Sequence, residues 1–285
     1  MEPVGIIGLG LMGSALTERF HAAGHPLVGY DIRENALAAF PGEVRTSSRE
    51  VFQTVRTVVF SLPNSSIVWD VILRSFPIAP GARIIDTTTG DPAWSAIIGD
   101  NLAKMGVDYL DATLIASSRD VREGQAVVTA GGRKGAFDAC VPLFQTFAKQ
   151  WFHVGLWGSG SRAKLAVNLV LGLNRAVLAE GLSFAKAYGL DPQLMLEVLR
   201  SGIAYSRTMD VKGPKMLAED FTPVARLAQH LKDVKLILEA ARGCGANVPM
   251  SELHESLLAN LVDRGLGDLD NSAVIRAFDR NTDPR

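Results

Sequence analysis

The chain has 285 residues, more than one domain usually holds, so two domains, or one with a large helical extension, are expected. With 47% apolar and 21% charged residues it has the material for a hydrophobic core, which excludes wholesale disorder. Thirty acidic against 29 basic side chains leave a formal charge of -1, which gives no general attraction for nucleic acid or anionic lipid, and neither partner is expected. In chain order, short Val- and Ile-rich runs predict strands at 3–7, 26–30, 57–62, 83–86, 108–112 and 126–130, with helices at 12–23, 67–75 and 92–104 between them. That alternation is the rhythm of an α/β domain, a parallel sheet wrapped by helices. After Gly158-Ser159-Gly160 the rhythm changes, and Leu165, Val167, Leu169, Val170, Leu171, Leu173, Val177, Leu178, Leu182 and Phe184 predict one long helix. Its apolar residues fall on nearly every face, so protein is expected all round it, from another domain or another subunit. Helices at 192–201, 223–242 and 250–264 follow, making the C-terminal part all-α. The predicted division is an α/β domain at 1–161 and an all-α domain at 162–285.

The longest stretch without Asp, Glu, Lys or Arg, residues 3–17, is shorter than the roughly 20 residues of a membrane span. It also has no basic leader and is interrupted by Gly5, Gly8, Gly10 and Gly13, so a soluble, cytoplasmic protein is expected. Cys140 and Cys244 are too few for a disulfide framework or a thiolate metal site; both are read as reduced packing residues, and no metal is expected.

Gly8-Leu9-Gly10-Leu11-Met12-Gly13 stands between a predicted strand and a predicted helix with the spacing G-x-G-x-x-G. The first glycine permits a tight turn, the second lets a pyrophosphate approach the backbone, and the third lets helix and strand pack closely. Asp31 follows the second strand, 18 positions beyond Gly13, where a carboxylate accepts hydrogen bonds from ribose hydroxyls. NAD is therefore the expected cofactor, with NADP left open by Arg33, two residues on. Ser61-Leu62-Pro63-Asn64 and Asp86-Thr87-Thr88-Thr89 fall at the C-terminal ends of strands, the rim where open α/β sheets bind ligands. Leu62, Pro63, Asn64 and Thr89 are accordingly candidate cofactor contacts, although a threonine ending a strand needs no function. Lys164 and Asn168, four residues apart, share one helix face; a small-molecule site at the domain junction and a snorkelling lysine beside a backbone-bonded asparagine are the two readings.

The glycine loop is joined by Leu62-Pro63, Asp86, Thr88-Thr89, Pro92, Asp111-Ala112, Gly131-Gly132, and His153 through Gly155, Gly158 and Gly160 to Lys164 and Asn168. Lys232-Asp233, Gly245, Pro249, Asp270 and Ser272-Ala273 close the series. Over almost its whole length the chain thus resembles the β-hydroxyacid dehydrogenase family, the group of 3-hydroxyisobutyrate dehydrogenases and glyoxylate or succinic semialdehyde reductases. The resemblance implies a catalytic role for Lys164, substrate binding by Asn168, a reach into the active site by Lys232, and a structural role for Asp233.

The family's substrate loop reads Asp-Ala-Pro-Val-Ser-Gly-Gly, whereas this chain has Asp111-Ala112-Thr113-Leu114-Ile115-Ala116-Ser117. Ile115, Ala116 and Ser117 thus replace a hydroxyl and two bare glycines that approach the substrate carboxylate in relatives. Val167 stands for the first of two family asparagines, and Ala225 and Gln229 replace an aromatic and a leucine ahead of Lys232-Asp233. Arg226 and His230 nearby are read as a solvated helix face, with substrate contact as the alternative. The reading is an NAD(P)-dependent oxidoreductase acting on a β-hydroxy acid or related short hydroxy or carbonyl compound. An imine reductase-like enzyme and a non-catalytic dinucleotide sensor stay open. A homodimer or homotetramer is expected, because a small helical domain standing alone exposes much apolar surface.

Overall fold

The computed structural model describes residues Met1–Phe278. These fall into two compact units, Met1–Lys164 and Leu165 onward.

The first unit is built on one eight-stranded sheet. Its chain order is β1 (Val4–Ile7), α1 (Leu11–Ala22), β2 (Leu27–Tyr30), α2 (Glu34–Ala38), β3 (Glu43–Val44), α3 (Ser48–Thr54), β4 (Thr57–Phe60), α4 (Ser65–Ser75), β5 (Arg83–Asp86) and α5 (Pro92–Lys104). It continues with β6 (Asp108–Ile115), α6 (Ser118–Arg122), β7 (Ala126–Gly132), α7 (Lys134–Phe144), β8 (Ala148–Gly155) and the first turns of α8 (Ser159–Ala187). The strands lie in the order β3-β2-β1-β4-β5-β6-β7-β8. The chain therefore moves outward from β1 in one direction and restarts at β4 on the other side, which opens a crevice at the C-terminal ends of β1 and β4. Ile6, Leu16, Phe20, Leu110, Val128 and Phe144 fill one face of the sheet. Val51, Val58, Val68, Ile72, Ile84 and Ile98 fill the other. Both faces being covered explains why β1, β4 and β5 are nearly continuous runs of apolar residues.

Three features depart from the predicted pattern. The sheet is parallel only as far as β6, because β7 pairs with β6 antiparallel, in the register Ala112 opposite Ala130. Residues 113–115, beyond the predicted end of the strand at 112, continue β6 because Ile115 still pairs with Val127. The helix expected from 67 starts at Ser65, where Asn64 caps it, its Oδ1 accepting the Ile67 N–H at 3.0 Å.

In the second unit α8 runs on, followed by α9 (Pro192–Ser201), α10 (Arg207–Leu217), α11 (Leu227–Cys244) and α12 (Pro249–Leu261). Leu178, Leu182, Leu196, Met216, Leu231, Val234 and Leu258 form its core. The predicted helix at 223–242 begins only at Leu227, because the Val224 and Ala225 N–H groups donate to the buried Asp270 carboxylate instead. Asp270 also receives the Lys212 ammonium at 2.7 Å. By length and hydropathy α8 is the one helix among the described residues able to cross a bilayer, contrary to expectation; it carries the buried Arg175 and contributes Leu178 and Leu182 to the core. Within the chain it is covered on one side, and Val170, Val177 and Phe184 remain exposed. Cys140 is buried, its thiol pushed up to about 12 by burial, whereas Cys244 is exposed and not the packing residue expected.

Candidate active site

The glycine loop crosses the crevice. Gly8 donates its N–H to the Tyr30 carbonyl at 3.0 Å, and Ser61 donates to that of Ile7 at the same distance, so the loop is tied to both neighbouring strands. Gly8 adopts φ +93°, and a side chain on it would strike the Ser61 carbonyl; one on Gly13 would strike the Gly8 carbonyl. Those two glycines are required by the packing of strand, loop and helix. Gly10 differs, since a Cβ there would meet only the Arg33 guanidinium, at 3.9 Å. No side chain caps α1 and no acid lies in its first turn, so its N-terminal N–H groups, with the helix dipole behind them, are open to an anion. Buried Leu9, exposed Leu11 and half-buried Met12 complete the loop. The dinucleotide's pyrophosphate fits this cradle.

Asp31 follows β2 and is buried. Its Oδ2 accepts the Leu9 N–H at 2.7 Å and the Arg33 guanidinium at 3.0 Å, while Oδ1 accepts the Arg33 backbone N–H at 2.9 Å. Burial opposes its charge, but the bonds from Arg33 and Leu9 prevail and hold the carboxyl below its ordinary range. Asp31 and Arg33 thus lie together beside the loop, a carboxylate for ribose hydroxyls and a cation for a 2'-phosphate.

At the end of β4, the Leu62 N–H donates to Thr88 Oγ1 at 3.1 Å, which ties the rim of β4 to that of β5. Pro63 is exposed, Thr89 is half-buried, and Asn64 serves as the α4 cap. Beneath them the buried Asp86 accepts the Tyr109 hydroxyl at 2.7 Å and the Thr88 N–H at 2.9 Å. Burial raises its carboxyl to about 6 in spite of those bonds.

Strand β6 extends past the end of β5 on the same rim, and the Leu114 carbonyl accepts the Lys164 ammonium at 2.6 Å. Lys164 is half-buried; Asn168, one turn further along α8, is buried. Ile115 and Ala116 are half-buried, and Ser117 is exposed. Its hydroxyl bonds the Asp120 carboxylate at 2.6 Å, and its N–H donates to the same carboxylate at 2.8 Å, closing a capping box on α6. The hydroxyl that the sequence offers is thereby committed to the protein itself.

In the helical unit Lys232 is exposed on α11, and Asp233 accepts the Gln229 amide at 3.4 Å. His230, expected on a solvated face, is instead buried, its ring 5.1 Å from that of His254 and both rings packed against Gly172. Residues 3–155 match the family described as the NAD binding domain of 6-phosphogluconate dehydrogenase. Residues 158–278 match that described as the NAD-binding of NADP-dependent 3-hydroxyisobutyrate dehydrogenase. The chain is 28% identical to 2-hydroxy-3-oxopropionate reductase of Escherichia coli (strain K12), with 97% of each protein covered. It is also 28% identical to NAD-dependent L-serine dehydrogenase of Pseudomonas aeruginosa, with 98% of each covered. In fold it is similar to the 3-hydroxyisobutyrate dehydrogenase of Mycobacterium tuberculosis, with a TM-score of 0.90 at 24% identity over 98% of this chain and 99% of that one. With its open dinucleotide cradle and these likenesses along its whole length, the chain belongs to the β-hydroxyacid dehydrogenase family, NAD(P)-dependent oxidoreductases that act on CH–OH groups.

Proposed function

We propose that the chain interconverts a short β-hydroxy acid, or a related hydroxy compound, and its carbonyl form, with Lys164 as the acid/base. The observation that carries this reading is the Lys164 amine at the rim of the sheet, 2.6 Å from the Leu114 carbonyl, on the edge where the glycine loop and the ends of β4 and β5 also lie. The bound nicotinamide supplies or accepts the hydride. Lys164, as an ammonium, donates a proton to the carbonyl oxygen in reduction; as a neutral amine, it takes the hydroxyl proton in oxidation. Asn168 shares its helix face and orients the substrate. Gly8 to Gly13, Asp31, Leu62, Pro63 and Thr89 hold the dinucleotide. Ile115 and Ala116 contact the substrate, while Ser117 is engaged by Asp120.

The named substrates of the two relatives, 2-hydroxy-3-oxopropionate and L-serine, each bear a hydroxyl near a carboxylate, which supports a hydroxy acid here. The exposed Val177, Phe184 and Tyr188 on α8 and just beyond it support self-association as a homodimer or homotetramer. Screening hydroxy acids, polyols and aldehydes with NAD(H) and NADP(H), by absorbance of the reduced nicotinamide, identifies the substrate. Lys164→Ala then lowers kcat by about 10²–10⁴-fold, the usual worth of a positioned acid or base, with dinucleotide affinity unchanged. Full turnover by that variant would favour an imine reductase-like chemistry; tight dinucleotide binding with no turnover on any compound would favour a sensor.

A further inference from the structure

Helix α8 starts at Ser159, and its start is fastened from the sheet. Asp111, buried in β6, accepts the Gly158 N–H on Oδ1 at 2.9 Å and the Ser161 N–H on Oδ2 at 2.8 Å, so one carboxylate satisfies two N–H groups at the helix start. Two residues along the same strand, the buried Thr113 hydroxyl lies 3.0 Å from the Gly160 carbonyl and 2.9 Å from the Thr129 hydroxyl. The Gly160 carbonyl is the one four residues before Lys164, the backbone partner of the Lys164 N–H in a regular helix. A side chain on Gly160 would strike the Asp111 and Thr129 carbonyls, so strand and helix are in direct backbone contact here. One residue beyond Thr113 lies Leu114, whose carbonyl holds the amine.

We propose that Asp111 and Thr113 are positioning residues for Lys164. Three residues within four positions of β6, Asp111, Thr113 and Leu114, carry both the clamp on the start of α8 and the acceptor for the amine, so the length of the lysine arm is set against a fixed strand. The inference rests on the acid/base reading of Lys164 only for its effect on turnover; the placement of the amine is independent of that reading. Burial raises the Asp111 carboxyl, and the Ser161 and Gly158 N–H bonds oppose that rise, as expected of an anion retained for those two donors.

The test uses Asp111→Asn, which turns one acceptor into a donor facing an N–H, and Thr113→Val, which deletes the hydroxyl at nearly constant volume. The rate at which trinitrobenzenesulfonate labels Lys164, mapped by peptide mass spectrometry across pH, reads the amine directly. Kinetics and dinucleotide affinity are measured on the same proteins. The expected result is a displaced labelling curve and a displaced pH profile of kcat in both variants. We expect kcat to fall roughly 10–100-fold for Asp111→Asn, and less for Thr113→Val, with dinucleotide affinity within twofold of the parent. Folded variants whose labelling curve and kcat match the parent overturn the proposal, as does a loss of kcat with the labelling curve unmoved. If Asp111→Asn does not fold, Thr113→Val decides by the same criteria. An active Lys164→Ala protein together with displaced labelling in Asp111→Asn would remove the acid/base reading and leave the positioning intact.

Discussion

Arg33 is placed where one side chain can weigh on the choice between two coenzymes. Its guanidinium lies on both Asp31 oxygens and above Gly10, so it neutralises a carboxylate that would otherwise repel a 2'-phosphate. Arg33→Ala is expected to lower kcat/KM for NADP relative to NAD by roughly an order of magnitude, the weight of one charge-assisted hydrogen bond; parallel initial rates with the two coenzymes measure the ratio. An unchanged ratio would mean that Arg33 serves only to hold Asp31. The glycine loop, Asp31 and Arg33 were legible in the sequence because their partners lie close along the chain and the spacing itself encodes the turn. Ser117 was legible in principle, since Ser followed three residues later by Asp is a capping signal, which competes with any substrate contact. The role of Asp111 had no local signal, because its N–H donors lie 47 and 50 residues away.

At the scale of elements, strands buried on both sides announce themselves, and the rest depends on context. Strand β8, at the sheet edge, escaped notice because Ala148–Gly155 has neither a continuous apolar run nor strict alternation, with Lys149-Gln150 and Trp151-Phe152 side by side. Its partner β7 gave no hint of running antiparallel to β6, since strand direction is a property of the pairing and not of the composition. Helix α10 escaped because it contains Gly213 and Pro214 and is polar on average; packing of Met209 and Met216 and the Lys212–Asp270 pair override that propensity. Asn64 illustrates an element claiming a candidate site residue. Its side chain accepts the Ile67 N–H and the Ser66 hydroxyl, so its first task is to start α4. Asn64→Ala is expected to cost about 1 kcal/mol, the usual worth of such a cap, in urea unfolding followed by circular dichroism. Dinucleotide affinity measured on the same protein separates the two roles: a loss of affinity well beyond the loss of stability would establish a direct contact.

For the whole molecule, the change from strand rhythm to unbroken helix was legible because it is a change of period, and it falls close to the boundary between the two compact units. What periodicity conceals is that each unit buries ionisable groups of opposite pH response. In the helical unit His230 and His254 pack together, with Arg175 and Lys212 as nearby cations and the Asp270 carboxylate paired to Lys212. Burial, then the Arg175 charge, lowers the His254 imidazole from 6.5 to about 4, and burial lowers His230 as well. Folded, these rings stay neutral while the unfolded chain takes up protons below 6.5. Their stabilising contribution is therefore present above that pH and lost as pH falls towards 4, by on the order of 3 kcal/mol for His254. In the sheet unit Asp86 acts in the other direction. Its carboxyl, raised to about 6, keeps its proton in the fold where the unfolded chain releases it, so its contribution is present below about 4 and lost as pH rises through 6. Hydrogen exchange between pH 7 and 4.5, corrected for intrinsic rates, should show α11 and α12 losing protection relative to β5 and β6 as the pH falls. His254→Leu should reduce that difference by removing one of the two titrating rings from the helical core while keeping it apolar, with His230 left to supply the remainder. Equal loss of protection in both units of the parent protein would mean that they unfold as one body and that neither group sets the acid limit.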